Sequence, residues 1–183
     1  MDWFENEALF FEQLEIGHSW SQYVAKILNQ HDVPCHATQM EKRKNIYDRH
    51  RFQNEQDVVL HKVNGWLEVK ANTHEFDWDP SSFPYSRPFV DTQAGWRRKN
   101  PKPLAVCLVS QQTGAIIVIP ASTESSWRPV VKYDHVRKIE DTFLTVHRDQ
   151  IRPFSDLVHY LKTRQAYREL NRPTSAQGWA EQA

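Results

Sequence analysis

The stretch from Asp57 to Lys70, DVVLHKVNGWLEVK, limits the fold more than any other part of the chain. Two β-favouring runs flank Asn64-Gly65, the dipeptide most suited to a two-residue hairpin turn. Taken literally, that turn pairs Val63 with Trp66, His61 with Glu68, Leu60 with Val69 and Val59 with Lys70. Side chains alternate along a strand. Val58, Leu60, Leu67, Val69 and Ala71 therefore share one apolar face, and Asp57, His61, Glu68 and Lys70 share the other. The tight turn places Asp57 opposite Asn72, about 13 Å along the strand from Glu68. Carboxylates so far apart cannot share a cation. A wider turn or a bulge would slide Asp57 toward Glu68 and Lys70 on the same face, and such an irregularity is expected.

Around this hairpin, the spacing of Trp20, Tyr23, Val24, Ile27 and Leu28 predicts an amphipathic helix, capped by Ser19 and ending before Pro34. Residues 1–16 read as a short helix or irregular lead-in, interrupted by Gly17. Residues 35–54 are polar and read as a loop, or as a solvated strand or helix. The Pro-rich stretch 74–88 reads as turns, and 89–103 as a short helix or loop. Leu104–Val109 and Ala115–Ile119 read as strands joined at Ser110–Gly114. Residues 130–152 are ambiguous, with short strands near Phe143–Val146. Ser155 is placed as the cap of a last helix, with Leu157, Val158, Leu161 and Tyr167 on one face. The tail 172–183 reads as frayed. A chain of 183 residues fits a single domain, 1–183.

Composition narrows the chemistry. Basic and acidic residues balance at 23 each, so any attraction to nucleic acid must be local. Two distant cysteines argue against a disulfide framework and point to a reducing compartment. The acidic N-terminus is no secretory signal, and no apolar run is long enough for a membrane span. A soluble, intracellular (cytoplasmic) protein is expected. Five glycines and no Gly-rich phosphate loop argue against an NTPase or a dinucleotide-binding fold. No nucleophile-elbow motif supports Ser-His-Asp chemistry.

Two carboxylates, Asp57 and Glu68, with the Val69 carbonyl between Glu68 and Lys70, suit a hard cation such as Mg²⁺. Lys70 could then deprotonate or orient a water, or stabilise a charged transition state. Asp57, ten intervening residues and Glu68-Val69-Lys70 resemble the PD-(D/E)xK nuclease superfamily. The helix in GHSWSQYVAKILNQHDV before the hairpin and the strands LAVCLVS and GAIIVIP after it follow the same order. The resemblance spans about residues 17–120, with motif-level specificity only at Asp57, Glu68 and Lys70. It implies an α/β, restriction-endonuclease-like mixed β-sheet flanked by helices, with an αβββαβ-type core. It further implies a deoxyribonuclease that uses Mg²⁺, with Mn²⁺ as substitute, acts on DNA and cuts by metal-activated water. A homodimer would supply two sites for the two strands, and the size suits a small phage or mobile-element enzyme. Gln56 stands where the family name has Pro. Gln22 stands where many members carry a helix-borne Glu ligand, which leaves one or two metals open. Glu12 and Glu15 are the alternatives on that helix. The competing reading is a non-catalytic module of this fold that binds nucleic acid or a protein.

Lys42, Arg43 and Lys44, and Arg97, Arg98 and Lys99, are the candidate phosphate contacts, with Trp96 as a stacking group or a core residue. The bland reading of each run is a solvated loop. His74, Glu75, Asp77 and Asp79 read as a solvated turn sooner than a second cation site. His31, Cys35 and His36 have no partner pair at zinc spacing.

Overall fold

A computed structural model describes residues 3–39, 56–134 and 139–170. Lys42, Arg43 and Lys44 and the tail 172–183 lie outside the described residues. The fold is mixed α/β. A six-stranded mixed sheet is flanked by helices, and a three-stranded antiparallel sheet lies beside it in the chain order.

The first helix, α1 (Trp3–Gln30), is continuous. Gly17 does not interrupt it, and Ser19 does not cap it. The Ser19 hydroxyl instead donates back to the Glu15 carbonyl at 3.0 Å, within the helix. Val24, Ala25 and Leu28 are buried along one face. The helix closes in a Schellman arrangement: Val33 N–H donates to Leu28 C=O and Asp32 N–H to Asn29 C=O, with Asp32 at φ 60°. Pro34 follows and cannot extend it. The Asn29 side chain then holds the next strand, donating to Cys35 C=O and accepting from Cys35 N–H.

That strand is β1 (Cys35–Ala37), followed by β2 (Val58–Leu60) and β3 (Trp66–Asn72). The three pair antiparallel in the order β1-β2-β3. The chain then crosses over through β4 (Phe89–Thr92) and α2 (Gln93–Arg98) and returns as β5 (Ala105–Ser110), parallel to β3. β6 (Ile116–Pro120) pairs antiparallel with β5. Gly114, at φ 72°, closes this second turn under the Tyr23 hydroxyl, which donates to its carbonyl.

β7 (Arg128–Asp134) and β8 (Ile139–Thr145) form a longer hairpin than the fragment expected near Phe143, and they join β4 in the second sheet. β9 (Arg152–Pro153) edges the main sheet before α3 (Phe154–Leu170). The last helix starts one residue before Ser155, so Ser155 lies in its first turn. Leu157, Val158 and Leu161 are buried, whereas Tyr167 is 69% exposed and off the core face.

The main sheet is covered on both sides. Leu67, Val69, Cys107, Val109 and Val118 face α1 and α3. Val106, Leu108, Ile117 and Ile119 face a second apolar layer built from Phe76, Phe83, Val90, Trp96, Trp127 and Leu144.

Candidate active site

The hairpin departs from the two-residue turn. Val58 pairs with Leu67 and Val59 with Trp66, four residues out of the tight-turn register. A shift by an even number preserves the faces, so Val58, Leu60, Leu67 and Val69 stay in the apolar layer. Residues 61–65 form the connection. Neither Asn64 nor Gly65 has positive φ, which a type I′ turn requires. Gly65 instead leaves room for the Leu104 side chain. A Cβ there would stand 2.7 Å from Leu104 Cδ1. Val63 turns into the core, and His61, just beyond the end of β2, meets His36 (Nε2 to Nδ1, 2.7 Å).

Extended one residue beyond the paired strand, the new register would set Asp57 opposite Glu68. Here β2 ends. The Gln56 carbonyl, which a continued ladder would offer to Val69, accepts from the Thr38 hydroxyl. Asp57 Oδ2 replaces it and accepts the Val69 N–H at 2.7 Å. Trp66 C=O accepts from Leu104 N–H, so alternation directs residues 66, 68 and 70 toward β5. The polar groups of Val69 therefore point toward the side where β2 has stopped, beside Asp57.

Glu68 and Lys70 extend over the opposite face from Val69, under the crossover that carries β4 and α2. Thr92 caps α2 by accepting from Gly95 N–H, and this short helix delivers Lys99 at its C-terminal end. Asp91 on β4 and Lys99 complete a cluster that sequence reading did not assemble. Lys70 Nζ lies 2.7 Å from Glu68 Oε1 and 3.4 Å from Asp91 Oδ1. Lys99 Nζ lies 3.0 Å from Glu68 Oε2 and also contacts Asp91 Oδ2. No motif marks Asp91 or Lys99. They are 23 and 31 residues beyond Glu68, and only the crossover brings them back.

The Glu68 side chain is 8% exposed and that of Lys70 is 36% exposed. Glu68 Oε2 accepts no aligned hydrogen bond and is met only by the nearby Lys99 charge. Burial, reinforced by the Glu68 charge, pushes the Asp57 carboxyl up to about 6, against the Val69 N–H and both lysines. Burial alone would lower Lys70, but Glu68 and Asp91 outweigh it and hold the ammonium well above its ordinary value. Burial would raise Asp91, but Lys70 and Lys99 outweigh it and hold the carboxyl low. The two thiols are free and buried. Burial pushes Cys35 up to about 11 and Cys107 to about 12, so neither is a ready nucleophile.

The other expected site residues are placed differently. Gln22 is exposed on α1, and its amide contacts His18 Nε2 at 3.0 Å, outside the cluster. Arg97 and Arg98 are exposed on α2. Lys99 is turned inward, 15% exposed, with its charge against Glu68 and Asp91. Trp96 is 1% exposed and stacks edge-on against Trp127, so it is a core residue and no platform for bases. Asp77 and Asp79 accept backbone N–H groups of Asp79 and Ser81 in a local turn. Among the described residues, no three His, Cys, Asp or Glu groups are gathered closely enough to hold a metal. The available oxygen donors are Asp57, Glu68 and the Val69 carbonyl. Among the described residues, no helix is long and apolar enough to cross a membrane. Comparisons with protein-family models, with curated proteins and with solved structures found no match.

Proposed function

We propose that the chain is a metal-dependent nuclease of the PD-(D/E)xK type that hydrolyses phosphodiester bonds in DNA. One observation carries this reading: Asp57 Oδ2 accepts the N–H of Val69, the residue between Glu68 and Lys70, and the register extended one residue puts Asp57 across from Glu68. The order of elements supports it. A helix, three antiparallel strands, a crossover containing a helix and a strand parallel to β3 follow the αβββαβ order that the resemblance implies.

The donor set fits a hard cation held by few protein ligands, Asp57, Glu68 and the Val69 carbonyl, with water filling the remainder. When bound, Mg²⁺ or Mn²⁺ would supply a Lewis acid that acidifies water and offsets charge on the phosphate. Asp57 is positioned for this by its bond to Val69 N–H, and Glu68 by its burial. Lys70 keeps its proton at Nζ, because two carboxylates face it. Of its two candidate roles, donor to a phosphate oxygen is favoured over general base. Arg97 and Arg98 are exposed on the adjoining helix and would meet the phosphate backbone.

A second reading is a nuclease-fold module that binds nucleic acid or a protein without cutting. The observation on its side is that Lys99 already neutralises Glu68 and Asp91. Plasmid nicking separates the two. Cleavage is expected with Mg²⁺ or Mn²⁺ and lost with chelator, Lys70→Ala or Glu68→Gln. Activity that survives both chelation and substitution would rule out the nuclease reading. Binding without cleavage under every metal condition would favour the module.

A further inference from the structure

We infer that Lys99 is an internal counter-ion that competes with the divalent cation for Glu68, and that Asp91 is where it withdraws. The inference rests on Glu68 being a cation ligand. Both Glu68 oxygens already face an ammonium group: Oε1 faces Lys70 Nζ at 2.7 Å, and Oε2 faces Lys99 Nζ at 3.0 Å. A cation held by Glu68 would share these oxygens with two ammonium groups, and withdrawing one lysine relieves that like-charge repulsion. The Lys70 contact is the shorter, and both lysines also donate to Asp91. Glu68 Oε2 is buried and receives no aligned hydrogen bond, so Lys99 holds it by charge alone. Lys99 also donates to Asp91 Oδ2, on the other sheet.

If Lys99 lets go of Glu68, it keeps a full carboxylate partner in Asp91. Lys70 loses more on leaving, because its nearer carboxylate is Glu68 and Asp91 Oδ1 is 3.4 Å away. Asp91 itself is held in place, since Oδ1 accepts from the Thr92 N–H at 2.8 Å. The structure thus contains a seat for Lys99 that remains when Glu68 is taken. This gives the site a cation threshold set by a residue outside the Asp57, Glu68 and Lys70 motif.

The test is titration of the full chain with Mn²⁺ alone, following free Mn²⁺ by electron paramagnetic resonance. Lys99→Met should tighten binding about tenfold, the size of one ion-pair coupling. Lys99→Arg keeps the competing charge and should stay within about twofold of the parent. Asp91→Asn should weaken binding, because Lys99 then has only Glu68, and this loss should shrink in the Lys99→Met background. Unchanged or weaker binding in Lys99→Met overturns the inference, as does an equal Asp91→Asn effect in both backgrounds. Thermal unfolding gives an independent reading. Lys99→Met should melt lower without Mn²⁺ and recover with it, whereas a variant that fails to recover counts against the inference. Tighter Mn²⁺ binding by Lys99→Met with no DNA cleavage by any variant would retain the inference and remove the nuclease reading. Cleavage by the parent with no gain in Lys99→Met affinity would do the reverse.

Discussion

The two faces of β3 are made by one strand under one rule and end in opposite states. Leu67 and Val69 point into an apolar layer against α1 and α3. Glu68 and Lys70, their immediate neighbours, point into a buried ionic cluster beneath β4 and α2. The first face needs only hydrophobic neighbours of suitable volume, so its chemistry is non-directional. The second needs partners of opposite charge at close range, because an unpaired buried charge is costly. Alternation sorts residues between faces, but it says nothing about what will cover each face.

The contrast can be broken experimentally, and the largest effect belongs to the apolar face. Leu67→Ala should cost about 3 kcal/mol in urea unfolding, through lost burial and the remaining cavity. Mn²⁺ affinity of the folded protein should stay within about twofold of the parent. A large loss of affinity would mean the faces are mechanically coupled.

Glu68→Gln addresses the other face. It strips two lysines of their shared carboxylate and should cost about 2 kcal/mol, reduced from a fully buried pair by the exposure of Lys70. Metal-dependent cleavage should fall at least about 100-fold in the nicking assay. Unaltered cleavage would remove Glu68 from the site.

Asp57→Asn gives a smaller effect of opposite sign. The native carboxyl is raised to about 6 from an unfolded value near 3.8. The native state therefore holds the proton more tightly, and the stability from Asp57 is present below about pH 4 and lost as pH rises through about 6. Asparagine escapes that loss and can still accept from Val69 N–H. Without divalent cation, Asp57→Asn should be on the order of 1 kcal/mol more stable than the parent at pH 8 and about equal at pH 4. Chemical denaturation across this range checks it, and a flat difference would show that Asp57 titrates normally.

The smallest effect is expected at Gln22. Gln22→Ala should change stability by less than about 0.5 kcal/mol and leave cleavage unchanged, because the side chain is exposed on α1 beside His18. A loss of cleavage would bring α1 into the site.

Much of this contrast was legible in the residues. The helix of Trp20 to Leu28, the hairpin of β5 and β6, and the sorting of Asp57, Glu68 and Lys70 away from Val58, Leu67 and Val69 follow from periods of 3.6 and 2. The distance between Asp57 and Glu68 in the tight-turn register exposed the need for a wider connection. The residues could not reveal why that connection is wide. Asn64-Gly65 favours a tight turn locally, but Val63 is taken into the core and Leu104 presses on Gly65. Likewise, Gly17 reads as a break, yet helical hydrogen bonding continues through it. Lys99 reads as one of three surface cations, yet it turns inward to Glu68 and Asp91.

What the sequence alone determined is which side chains share a face, because that parity is set by strand geometry within a few residues and survives an even shift of register. Which residues meet across that face was decided by tertiary structure. The β3–α2–β5 crossover returns Asp91 and Lys99 to Glu68 and Lys70 across more than twenty residues of chain. Charges separated so far in sequence interact only when folding brings them within a few ångströms and removes the water between them.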